Sequence, residues 1–142
     1  MIATEISPIE GIEIKHNGVM ASPAATLIAL CFESRTKTHF THLHTLSYSK
    51  HKALEDYYNS IIPLTDTFAE SYQGRYNLIV AYPDARINSA SEVNVGLQVV
   101  TMLRDWIDQN RKLCGEFSEL QNVIDGIVDL CNSTIYKLTN LA

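Results

Sequence analysis

Leu54, Tyr57, Tyr58, Ile61, Thr65, Phe68 and Tyr72 recur at three- and four-residue steps, and the period runs straight through Pro63. Residues at that spacing collect on one face of an α-helix. The run predicts a helix from about Ser49 to Tyr72, closed by Gly74 as a left-handed cap. Proline inside a helix removes a backbone hydrogen bond and costs roughly 3 kcal/mol when nothing offsets it. Two helices meeting at Pro63 are therefore the alternative, but the unbroken period favours one bent helix. A helix this long must bury its apolar face against others like it.

Three further stretches read the same way. Ser22-Pro23 combines a good cap with a good first helical residue. Ile28, Phe32, Arg35, His39, Leu43 and Leu46 follow, which places His39 on the apolar stripe of a first helix. The hydroxyl-rich run from Thr45 to Ser49 ends that helix and caps the next. A third helix is expected to start near Ser89 to Ser91, with Val93, Leu97, Val100, Leu103 and Ile107 as its stripe, and to fade by Lys112. Gly115 supplies a turn. The fourth spans about Glu116 to Leu141 and carries Phe117, Leu120, Ile124, Ile127, Cys131, Ile135, Leu138 and Leu141. Residues 75–90 lack a helical period and read as a crossover loop with a short helix around Leu78 to Ala81. Residues 1–21 read as an extended arm or a short strand pair, interrupted by Pro8, Gly11 and Gly18. The expected fold is an all-α four-helix bundle with one long crossover between the second and third helices.

The bulk properties fit one domain with a real core: 142 residues, of which 46% are hydrophobic and 19% charged. A net charge of −5 argues against a basic nucleic-acid surface. The three cysteines are widely spaced with no C-x-x-C pair, so reduced, inert thiols in the cytoplasm are expected. No secretory start and no membrane-spanning run is visible.

The stretch Thr38–Gly74 carries four of the five histidines. On a helical wheel Glu55, Asp66 and Glu70 fall about 40°, 60° and 100° from His51, beside the apolar stripe. They cannot all meet in one chain, because Glu55 and Asp66 are about 16 Å apart along the axis. The helix thus carries two half-sites, His51 with Glu55 and Asp66 with Glu70. A two-fold that packs two such helices antiparallel joins half-site to half-site, with His39 at one end. Each site then offers two imidazoles and three carboxylates, which suits iron(II), and also manganese or zinc. An internal di-iron centre is not expected, since no Glu-x-x-His occurs. His42 and His44 read as solvent-facing or structural, with His42, one turn from His39, a further candidate. Tyr48, Tyr57, Tyr58, Tyr72 and Trp106 read as packing, and a tyrosine near the site is a possible electron donor.

This pattern resembles the miniferritins, or Dps proteins. Their motif runs His-Trp, a histidine twelve residues on, an aspartate four later, then Asp-x-x-x-Glu. His39 matches the first histidine, with Phe40 where the tryptophan stands. His51 matches the second, Glu55 occupies the aspartate position, and Asp66 and Glu70 in DTFAESYQG match the last pair. The resemblance covers about Leu27 to Gly74 and, loosely, the fourth helix. A softer resemblance is to uncharacterised Dps-like proteins of tailed phages, which would place the chain in a host cytoplasm. The resemblance implies a ferritin-like subunit, metal sites across a dimer two-fold and commonly a hollow dodecamer. It implies iron(II) oxidation, often by peroxide, with storage of ferric mineral. DNA binding is not expected, because the arm that would carry a lysine-rich tail is acidic. The expectation from another class is a ferritin-like oligomer without ferroxidase activity, serving as a structural or partner-binding protein.

Overall fold

The computed structural model describes residues 15–16, 19–84 and 95–142. Among them are four α-helices and one short antiparallel ladder. The ladder pairs β1 (Lys15–His16) with β2 (Val19–Met20), Lys15 opposite Met20 and His16 opposite Val19. This is the strand-pair form of the expected arm; Ile6 to Ile14 lie outside the described residues. The expected third-helix start at Ser89 to Ser91, and Val93, also lie outside them.

Helix α1 (Pro23–His44) begins where the sequence predicts. Ser22 Oγ accepts the Ala25 N–H at 3.1 Å, and Pro23 occupies the first turn, where its missing N–H costs nothing. Its buried face differs from the expected stripe. Phe32 and Leu43 are exposed, at 41% and 70%, while Ala24, Leu27, Ile28, Cys31, Ser34, Thr38, Thr41 and His42 are buried. Hydroxyls can line this face because they bond back to their own helix: Ser34 to the Cys31 carbonyl at 2.7 Å, Thr38 to Ser34 at 2.7 Å, Thr41 to Lys37 at 3.1 Å. The expected stripe shares Ile28 with this face but is centred about 100° round the helix from it.

Helix α2 (Tyr48–Arg75) is capped by Ser47, whose Oγ accepts the Lys50 N–H at 3.3 Å. Leu54, Tyr57, Tyr58, Ile61, Thr65 and Phe68 are buried, as the period predicts. Pro63 lies inside one continuous helix. Both Pro63 and Asn59, whose carbonyl loses its usual donor, are exposed, so water can serve that carbonyl. Gly74 does not cap the helix, which continues to Arg75. Arg75 sits 3.8 Å over the Phe117 ring and pairs with Glu119 at 2.7 Å, and these contacts hold the last turn. The expected helix around Leu78 to Ala81 does not form either. There the burial alternates: Leu78, Val80 and Tyr82 are exposed, whereas Ala81 and Pro83 are buried, the period of extended chain.

Helix α3 (Val95–Asn110) runs into a 3-10 turn at Arg111–Cys114, and Gly115, at φ 121°, turns the chain toward α4 (Ser118–Asn140). Val100, Leu103, Trp106 and Ile107 of α3 and Leu120, Ile124, Ile127, Cys131 and Leu138 of α4 are buried.

Close approaches fix the helix directions. A Cβ on Gly96, at the start of α3, would lie 2.8 Å from Leu54 and 3.3 Å from Thr41. Leu138, near the end of α4, packs with Ala53, Leu54 and Leu97. The end of α1, the start of α2, the start of α3 and the end of α4 therefore share one end of the bundle. Arg75–Glu119 and Arg111–Gln121 contacts mark the other. So α2 and α3 run parallel, α1 and α4 run opposite to them, and Arg75 and Val95 lie at opposite ends. Each helix packs on two neighbours, α1 on α2 and α3, α4 on α2 and α3. No helix among the described residues is long and apolar enough to cross a membrane.

Candidate metal centre at the end of the first helical hairpin

Residues 45–47 join α1 to α2, with the extended Thr45 and the Ser47 cap turning the chain between two helix ends. This short connection lays the last turn of α1 against the first turn of α2 and brings His42 to His51. His42 Nδ1 donates to the His51 carbonyl at 2.7 Å, and His51 Nδ1 donates to the His42 carbonyl at 3.0 Å. A carbonyl only accepts, so each Nδ1 carries a proton, and in the neutral imidazole the lone pair is on Nε2. The rings stack, with centroids 3.6 Å apart and planes 23° from parallel.

Glu55 follows His51 by one helical turn. One ring nitrogen of each histidine and a carboxylate oxygen of Glu55 lie within 4.8 Å of one another. Since the Nδ1 atoms are engaged by carbonyls, the nitrogens open to a cation are the two Nε2. His42 is buried, at 6% exposure; His51 and Glu55 are half-buried. Lys52 Nζ hydrogen-bonds Glu55 at 3.2 Å and holds its carboxyl below the usual range, with smaller contributions from His42 and His51. In turn Glu55 raises the Lys52 ammonium. The ammonium thus occupies the carboxylate that a cation would share.

His39 is a neighbour of this cluster and not a member of it. Its ring stacks on Tyr58 at 4.1 Å and meets His42 edge-on at 5.7 Å. Burial, and then the charges of Arg35 and His42, push its imidazole below the usual value. Tyr58 meets His42 edge-on at 5.2 Å, with the Arg35 guanidinium 5.4 Å from its ring centre. Asp66 and Glu70 are exposed on α2, more than two turns beyond Glu55. His44 is also exposed.

Of the five expected ligands, then, one chain brings together His51 and Glu55. His42 takes the place that spacing assigned to His39. The signal for His42 lay in Ser34, Thr38 and Thr41: counted as buried, they carry the core face of α1 to His42. Two imidazoles and a carboxylate suit iron(II), manganese or zinc, and three protein donors leave coordination positions open. A backbone carbonyl on each Nδ1–H is the kind of outer support that orients a metal-binding histidine. The cysteines offer no competing site. All three are free and buried, and burial pushes Cys31 well up and Cys114 and Cys131 up to about 12, so they stay protonated.

No curated protein and no solved structure matches the chain. A family model does match, over residues 42–138, a span that begins at His42 and takes in His51 and Glu55. The chain belongs to that family, described as a family of unknown function (DUF5856).

Proposed function

We propose that this protein binds Fe(II) as a substrate through His42, His51 and Glu55 and oxidises it, as a Dps-like member of the ferritin-like bundles. The observation that carries this reading is the reciprocal bonding of the two histidines, which commits both Nδ1 atoms, with one ring nitrogen of each histidine and a Glu55 oxygen within 4.8 Å of one another. Helix directions support the ferritin-like assignment: parallel α2 and α3 need a connection that crosses the bundle, as in folds with one long crossover. Asp66 and Glu70, exposed on the same helix, are available to a second copy packed antiparallel along α2. That dimer would complete each site with two further carboxylates and His39 at its edge, and a closed assembly, up to a dodecamer, would store the ferric product. Manganese and zinc fit the same donors.

A second reading rests on the same pair. The His42 carbonyl lies in the last turn of α1, where carbonyls lack helical partners, and His51 satisfies it. The histidines then serve as a clasp between two helices, in a structural or partner-binding oligomer without metal. Anaerobic Fe(II) titration, followed by air or peroxide, separates the two. The first reading expects micromolar binding and growth of ferric absorbance, both lost in His51→Ala and Glu55→Gln. A folded protein that binds no Fe(II) at micromolar concentration leaves only the clasp. Light scattering gives the subunit number.

A further inference from the structure

The two ends of the bundle carry opposite shapes of the same apolar chemistry. At the hairpin end Leu46 stands clear of the fold at 103% exposure, between Leu43 at 70% and Tyr48 at 77%. Single exposed apolar residues are ordinary; three within one tight turn form a patch. His44 and Lys50 sit beside Leu46, and among the described residues neither has an ion-pair partner. The Arg75 end carries a hollow of about 250 Å³, lined by Tyr72, Tyr76 and the extended segment from Asn77 to Ala81, with Ser22. Its walls are fixed. Tyr72 and Tyr76 lie 4.6 Å apart, Tyr76 meets Phe117 at 6.0 Å, and Ile79 packs on the core while its N–H donates to Gln73 Oε1 at 2.9 Å. Leu78 and Val80, which also line it, are 77% and 84% exposed. The hollow is smaller than the roughly 300–1,000 Å³ of small-molecule sites, so one aliphatic side chain suits it better.

We propose that the Leu46 tip of one copy seats in the Tyr72–Tyr76 hollow of a second copy, joining chains head to tail. Within one chain the two cannot meet, because they lie at opposite ends of α2, whose 28 residues span about 42 Å. The contact is heterologous: each copy offers one tip and one hollow. Its repetition gives a ring where the rotation closes and a filament where it does not. Charge favours the same pairing. The tip brings His44 and Lys50, whereas Asp84 and Glu116, at the hollow's end, are exposed and unpaired among the described residues, with Lys112 the exposed cation nearest Glu116 in sequence. The contact goes beyond the Fe(II) reading and needs no metal. A two-fold along α2 stops at two chains, so a larger closed assembly requires a second kind of contact, which tip and hollow provide.

The test uses the full chain, freed of metal by a chelator. Leu46→Asp disables the tip and Val80→Asp the hollow; both side chains are exposed, and circular dichroism checks that each variant folds. Light scattering is expected to show the wild type as an assembly and each variant alone as a smaller unit. Mixed in equal amounts, the two variants should associate again, with a Kd at least about tenfold lower than either shows with itself, because one keeps its hollow and the other its tip. A chain carrying both changes should not associate with itself. Leu43→Asp and Leu78→Asp repeat the test from neighbouring positions. A monomeric wild type, variants that keep the wild-type mass, or a mixture no heavier than its parts overturns the proposal. With no metal present, none of these outcomes bears on Fe(II) binding, and a protein that binds no Fe(II) leaves the contact standing.

Discussion

His42 and His51 each end a hydrogen bond on the other's backbone carbonyl, so neither ring can turn without breaking a bond that its partner's main chain accepts. The side chains are thus fixed by the fold. Substituting either one removes its own ring's bond and the ring stacking, while the other ring keeps the main-chain carbonyl it bonds.

His42→Ala and His51→Ala are each expected to cost about 1–3 kcal/mol, since each removes one inter-helix hydrogen bond together with the stacking of the two rings. The double variant should cost less than the sum, with a coupling of about 0.5–3 kcal/mol. Urea unfolding of the four proteins measures this. Strict additivity would show that the reciprocal bonds do not act as a unit.

Lys52→Met should tighten divalent-cation binding at neutral pH, because the ammonium no longer competes for Glu55. The Glu55 carboxyl, now held below its ordinary 4.5 by Lys52, should titrate higher. Its folded value is depressed, so its contribution is present above the ordinary value and fades as pH falls through the folded one. Carboxyl titration by NMR, with cobalt(II) binding in parallel, checks both; weaker cobalt binding in the variant would contradict the competition.

His39 carries the opposite proton preference to a paired histidine. Its folded value lies below the ordinary 6.5, chiefly through burial, so the unfolded chain binds its proton first. Stability should therefore hold above 6.5 and drop as pH falls below it. His39→Gln removes this group, and its unfolding free energy should depend less on pH across that window. Equal slopes in the two proteins would locate the acid sensitivity elsewhere.

Two glycines should respond with opposite signs. Gly74 lies inside α2 with nothing near a new Cβ, so Gly74→Ala should stabilise by about 0.5–1 kcal/mol. Gly115 sits at φ 121°, and a Cβ there would come within 2.6 Å of Leu120. Gly115→Ala should destabilise by about 1–3 kcal/mol, from strain at a position that suits glycine alone. Thermal melts of both variants give the signs directly.

The buried face of α2 was legible because its apolar residues are large and their period is unbroken from Leu54 to Phe68. The start of α1 was legible because Ser22-Pro23 is a local signal that needs no tertiary context. The face of α1 was not, because its buried residues include Ser34, Thr38 and Thr41, whose hydroxyls are satisfied within the helix and so bury without a visible apolar mark. That face carries His42, and not His39, to the cluster with His51 and Glu55. Gly74 misled for the reverse reason: a local stop signal was overridden by Arg75, which Phe117 and Glu119 hold in place from a distant part of the chain. His51 and Glu55 were legible from spacing, since one helical turn alone sets their separation.

One contact in the middle of the hairpin gives the histidine pair a wider meaning. Ser34 spends its hydrogen on the Cys31 carbonyl, so Tyr57 donates to Ser34 Oγ at 2.7 Å. That bond and the His42–His51 pair lie eight residues apart on α1, about 12 Å along the axis. A rod pinned at one point can still swivel; pinned at two, it can neither swivel nor slide. Helix α1 is registered on α2 like a hinge leaf held by two pins, and the outer pin is made of the same imidazoles that face an incoming cation.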